Sequence, residues 1–124
     1  MNFTQKTVVL VFLSISSVAA LAASDAANGA VLYKSRCSAC HSVEYNGIGP
    51  MHKEVFGRRA GQASGFAYSS AVKASKLVWT EATLDQWLTN PEKLIPGQTM
   101  GISVDEANER ADLIAFLKKI GSKR

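Results

Sequence analysis

Two cysteines and two histidines are all that this chain of 124 residues contains, and that scarcity excludes a good deal. A structural zinc site needs four ligands, and with no second cysteine pair the chain cannot supply them. No stretch alternates apolar and polar residues in the manner of a half-buried strand. The βαβ frame that a thioredoxin-type Cys-x-x-Cys pair requires is therefore missing. No internal repeat, linker or low-complexity segment interrupts the sequence, and the length holds to one domain.

What is present begins with the leader. Lys6 sits in a short polar lead, an apolar run follows from Val8 to Leu21, and Ala20-Leu21-Ala22 is a small-x-small pattern. This anatomy predicts a secretory signal over residues 1–22, cleaved on export to the periplasm and leaving one domain over 23–124. The competing reading is a retained membrane anchor, which calls for about 20 apolar residues; the run is shorter than that. The formal net charge of +4 includes Lys6, so the exported domain is mildly basic.

Export makes a disulfide chemically permissible, but Cys37 and Cys40 would close only a tiny loop, with little entropic gain. The segment is CSACH, residues 37–41. In Cys-x-x-Cys-His both thiols can add to the vinyl groups of a haem, and the adjacent histidine becomes an axial iron ligand. That reading uses all three residues at once, and it is the one adopted: a single covalent haem c, held through Cys37 and Cys40, with His41 on the iron.

The remaining pattern is helical, interrupted by long loops. A first helix is expected from Asp25 to about Cys37, capped by Ser24 or Asp25, with Ala26, Ala30, Tyr33 and Cys37 on one face. In the last helix Leu113, Phe116, Leu117 and Ile120 form the apolar stripe. Ser103-Val104-Asp105-Glu106 reads as its capping box, and Lys118, Lys119 and Gly121 suit its carboxyl end. The two terminal helices are expected to cross, Gly29 and Tyr33 meeting Leu113 and Phe116. Thr80-Glu81-Ala82-Thr83 starts a further helix that presents Leu84, Trp87 and Leu88 and stops at Asn90-Pro91. A weaker one covers 69–74. Segments 42–65 and 91–102 show no period, and loops of that length in a small domain serve a function or pack on something. A haem is large and apolar enough to be that something. It would also staple a chain near the size at which a core alone is marginal.

Candidates for the second axial position are Met100, Met51, His52, a lysine or a small molecule. Met100 is favoured. It lies in LIPGQTMG, in the second long loop, and His/Met ligation is typical of electron carriers. Met51 and His52 follow His41 too closely to wrap easily to its far side.

Taken together, the segments CSACH, GIGPMH, FGRRAGQASGFAYS, Trp79, WLTNPEKLIPGQTM and ERADLIAFLKKI resemble, in order and spacing, the class I c-type cytochromes, across the whole of the exported domain. The resemblance implies an all-α cytochrome c fold of three to four helices and long loops around one haem. It implies thioethers from Cys37 and Cys40, axial ligands His41 and Met100, and a hydrogen bond from His41 to the Pro50 carbonyl. Arg58, Tyr68 and Trp79 match positions that bond or screen a haem propionate. Trp87 replaces a tyrosine often found near the methionine sulfur, where its N–H could donate or the ring simply pack. Val72 and Gln98 stand where Asn and Thr are frequent. His52 stands where leucine is usual: either a half-exposed histidine, or one close enough to the haem that its titration moves the reduction potential near neutral pH.

A six-coordinate iron has no open position for substrate, so the resemblance implies a soluble, monomeric, periplasmic one-electron carrier rather than an enzyme. Its partners would be membrane redox complexes or a terminal oxidase met at an exposed haem edge, through small interfaces steered by charge; no nucleic acid is involved. Arg36 and Lys93 could form a basic rim there. Glu92 and Thr99 stand where the family often carries lysines, which predicts a weak salt dependence. The rival readings are a haem peroxidase and a ligand sensor; both need a vacant or labile sixth position.

Overall fold

A computed structural model describes residues 22–121; most of the expected signal segment 1–22 lies outside the described residues. The described chain is helical: α1 (Ala26–Arg36), α2 (Ser70–Ala74), α3 (Glu81–Thr89), α4 (Pro91–Leu94) and α5 (Ala107–Gly121). Among these residues the only β pairing is one isolated antiparallel bridge between Arg59 and Val78.

Local chemistry accounts for most helix ends. Asp25 caps α1, its carboxylate accepting from the N–H groups of Ala27 and Asn28, which otherwise lack partners. Thr80 and Thr83 form a reciprocal capping box at the start of α3. Asn90 closes α3 and its side chain caps α4, where Pro91 occupies the first turn; proline fits there because that turn needs no N–H from it. So the stop expected at Asn90-Pro91 is also a new start, giving one helical turn inside a segment that carries no periodicity.

One expectation is corrected. The Ser103–Glu106 stretch does not cap α5, which begins only at Ala107. Val104 is buried and donates its N–H to the Leu88 carbonyl at 2.7 Å. The Arg110 guanidinium takes up the carbonyls of Val104 and Asp105. Burial of one valine against α3 thus outweighs a local cap.

The terminal helices cross as the pattern predicts. A Cβ at Gly29 would lie 2.0 Å from the Asp112 carbonyl oxygen and 2.9 Å from the Phe116 Cβ, so only glycine lets the two backbones approach this closely. The rings of Tyr33 and Phe116 pack 5.0 Å apart. At the same crossing the Asp112 carboxylate accepts from the Asp25 N–H and the Asn28 amide, at 2.6 and 2.7 Å. Leu113, Ile114 and Leu117 of α5 then join Leu84 and Leu88 of α3 in the buried core. The segment 57–60 is tied to the segment 77–79 by backbone bonds. Gly57 donates to the Trp79 carbonyl, Trp79 to that of Arg58, and Ala60 to that of Leu77. This satisfies backbone groups that could not be buried unpaired.

Candidate cofactor site

α1 runs directly into the Cys-x-x-Cys-His segment. The N–H groups of Cys40 and His41 both donate to the Cys37 carbonyl, at 3.1 and 2.9 Å. This is one further helical turn, and residues three and four apart on a turn share a face. It places Cys37, Cys40 and His41 together on the wall of a cavity of about 200 Å³. No disulfide joins the two cysteines. Burial pushes the Cys37 thiol up to about 11, partly offset by Arg36 and reinforced by Cys40.

His41 is oriented from three sides. Its Nδ1 lies 2.8 Å from the Pro50 carbonyl oxygen. A carbonyl only accepts, so Nδ1 carries the proton and Nε2 presents a bare lone pair, the state a metal-binding imidazole needs. A Cβ at Gly49 would fall 2.2 Å from the His41 ring, so the glycine gives the ring its room. On the ring's face lies His52, stacked at 4.1 Å and 20°, and the Tyr33 hydroxyl is 3.0 Å from the His52 Nδ1. Burial lowers the His41 pKa, partly opposed by the Pro50 bond. Desolvation pushes His52 down to about 3, with the charges of His41 and Arg58 acting the same way. His52 is therefore neutral around pH 7, which goes against the second of the two alternatives left open for it, the one in which it titrates there.

Met100 reaches the same cavity from the loop after α4. Its sulfur accepts a hydrogen bond from the Trp87 Nε1 at 3.2 Å. A thioether sulfur keeps further lone-pair density for a metal while making one weak bond of this kind. Of the other candidate ligands, Met51 faces a different depression, and His52 lies against His41. Among the described residues, no lysine lines the cavity.

Arg58, Tyr68 and Trp79 line it as well. The Arg58 guanidinium donates to the carbonyls of Lys53 and Met51, at 2.9 and 3.0 Å, while its Nε is buried with no partner in the protein. A buried cationic N–H without an acceptor is costly, so this atom calls for an anionic oxygen from a bound group. The Tyr68 hydroxyl accepts from the Ala63 N–H, which leaves its own proton to donate. Trp79 is buried edge-on to Trp87, with ring centroids 5.2 Å apart. Two thiols, a bare imidazole nitrogen, a thioether and an unsatisfied guanidinium in one largely apolar cavity fit a covalent haem with a buried carboxylate.

All of the site residues predicted from sequence, Cys37, Cys40, His41, Pro50, Arg58, Tyr68, Trp79, Trp87 and Met100, thus line one cavity. Arg36 stands at its edge, but paired with Glu109 at 2.7 Å, so it is less free for a basic rim than its sequence position suggests. Sequence reasoning missed two features. The stack of His52 on His41 could not be seen, since nothing in the sequence gives ring orientation. The other is a set of bonds that joins Glu92 to the Met100 loop through Gln98; its signal was that both residues depart from the usual pattern.

A helical chain folded around a cavity, with Cys-x-x-Cys-His on its wall, defines a class of covalent haem proteins. Comparison with known proteins agrees: the cytochrome c family model matches residues 26–121. Cytochrome c of Chlamydomonas reinhardtii is 42% identical, over 85% of this chain and 97% of that protein. Cytochrome c2 of Rhodomicrobium vannielii is 43% identical, over 82% and 83% of the two. Among solved structures, cytochrome cH from Methylobacterium extorquens superposes with a TM-score of 0.73 at 43% identity, covering 77% of this chain and 98% of that one. The chain belongs to the cytochrome c family, and membership implies a covalent c-type haem.

Proposed function

We propose that the exported domain is a soluble periplasmic one-electron carrier with haem c attached through Cys37 and Cys40 and ligated by His41 and Met100. The observation that carries this reading is the Met100 sulfur, held in the cavity by the Trp87 N–H at 3.2 Å. A protein that binds or activates a small ligand needs an open position; a thioether anchored there works against one. When bound, the haem supplies a one-electron iron couple, and the protein's part is to tune and shield it.

Each residue then has a definable task. Pro50 keeps His41 protonated at Nδ1 and basic at Nε2. Arg58 and Tyr68 offer an N–H and an O–H to a propionate, and Trp79 covers it. His/Met ligation raises the potential, and Trp87 withdraws charge from the sulfur in the same direction. Around the mouth of the cavity stand Ile48 and Ile102, 79% and 51% exposed, an apolar margin across which a monomeric carrier meets its donor and acceptor proteins.

The test is the absorption spectrum of the purified ferric and ferrous protein. The methionine-to-iron charge-transfer band of the ferric form is expected in the wild type and absent in Met100→Ala. The ferrous wild type should not bind carbon monoxide, whereas the variant should. Ready carbon monoxide binding by the wild type would instead favour a sensor or peroxidase.

A further inference from the structure

We propose that Glu92 is a positioning residue for Met100, acting through the Gln98 amide on the backbone of the methionine loop. The inference rests on the reading of Met100 as the second iron ligand.

The geometry is a chain of four bonds. One Glu92 carboxylate oxygen accepts the Gly97 N–H at 3.0 Å, and the other accepts the Gln98 side-chain N–H at 3.1 Å. The Gln98 carbonyl oxygen then accepts the Met100 N–H at 2.6 Å and the Gly101 N–H at 3.3 Å. The orientation of the Gln98 amide follows from the groups at its two ends. A carboxylate only accepts and a backbone N–H only donates. Turned over, the amide would set oxygen against carboxylate and NH2 against two N–H groups. The charge on Glu92 therefore selects the one orientation in which Gln98 can hold Met100. Gly97 and Gln98 in turn keep the carboxyl below the usual carboxylate range, the backbone bond being the larger cause, which preserves the acceptor form.

This clasp complements the grip on the side chain. Trp87 of α3 holds the sulfur, and Glu92 of α4 holds the main chain. Met100 is thus fixed at both ends, by two helices that Asn90 joins in a single turn. An uncharged amide at 92 cannot reproduce the clasp. Whichever way Glu92→Gln rotates, its NH2 faces either the Gly97 N–H or the Gln98 NH2, and one bond is lost.

The experiment compares haem-loaded wild type with Glu92→Gln, Glu92→Ala, Gln98→Ala and the Glu92→Ala/Gln98→Ala double variant. Glu81→Gln serves as a carboxylate control on α3. Two quantities are read: the rate at which added imidazole displaces the methionine from ferric iron, followed at the methionine–iron band, and hydrogen exchange at the Gly97 and Met100 amides. Loss of one exposed hydrogen bond corresponds to displacement roughly three- to tenfold faster. That acceleration is expected in the position 92 and 98 variants and not in Glu81→Gln, with faster exchange at both amides. In the double variant the losses should be less than additive, since the two groups act in series. Rates and exchange equal to wild type in Glu92→Ala would overturn the proposal, as would strict additivity. A wild type that lacks the methionine–iron band would instead overturn the ligand reading on which the proposal rests, and the two failures are therefore told apart.

Discussion

His52 shows how far one side chain can depart from a family pattern without upsetting the site. It stands where leucine is usual, yet its ring stacks on His41 and its Nδ1 meets the Tyr33 hydroxyl. Both contacts suit a flat neutral ring. With its pKa driven down to about 3 by desolvation and by His41 and Arg58, it carries no charge from pH 5 to 8, the range over which an ordinary histidine titrates. The reduction potential is accordingly expected to show no His52-dependent step in that range. Potentiometric titration of wild type and His52→Leu across it should give parallel curves, offset at most by a constant. A step that vanishes in the variant would mean that the imidazole does titrate there.

At the scale of elements, the crossing of α1 and α5 concentrates the most testable energetics. Alanine in place of Gly29 would gain about 1 kcal/mol in an isolated helix. Here its Cβ would meet the Asp112 carbonyl, and overpacking of this kind costs about 1–3 kcal/mol. Gly29→Ala should therefore lower the denaturant midpoint; a midpoint that rises would show that the helices can separate cheaply. Asp112 adds a pH dependence. The Asp25 N–H, then the Asn28 amide, hold its carboxyl below the usual range. A depressed folded pKa means stability that is present above the ordinary value of about 3.9 and lost as pH falls through the lower, folded one. Asp112→Asn should be less stable than wild type at pH 7. The gap should begin to narrow as pH falls below about 4 and close only below the lower, folded value, where both side chains are neutral. A gap independent of pH would rule out the charge as its source. The same scale explains why the expected cap at 103–106 failed. Caps are local, whereas Val104 answers to α3, which lies elsewhere in the sequence.

At the scale of the whole molecule, the distribution of charge bears on how partners are met. The cavity mouth is bordered by Ile48 and Ile102, and Arg36 is tied to Glu109 at 2.7 Å. Glu92 and Thr99, where the family often has lysine, further thin the positive charge near the methionine loop. Steering by exposed charge falls steeply with ionic strength, whereas apolar contact does not. Association with a redox partner should therefore slow by less than about tenfold between low and physiological salt, against the larger losses seen when steering dominates. Stopped-flow measurement across a salt series checks this. A steep fall would mean that lysines remote from the cavity carry the encounter.

The sequence by itself carried the motif from which haem attachment is proposed, because Cys-x-x-Cys-His is local and its residues act through adjacency along the chain. It also determined α1, α3 and the stripe of α5, since periodicity and capping are short-range. The crossing of the terminal helices was legible too, through a glycine that only a close neighbour explains. Tertiary structure alone decided what depends on how elements and loops are brought together: that α5 starts at Ala107, that His52 lies flat on His41, that Arg36 is paired, and that Glu92 reaches Met100 through Gln98. The physical reason is common to all four. Burial and hydrogen-bond direction are set by whichever group arrives from another element, and a one-dimensional pattern records neither its distance nor its orientation.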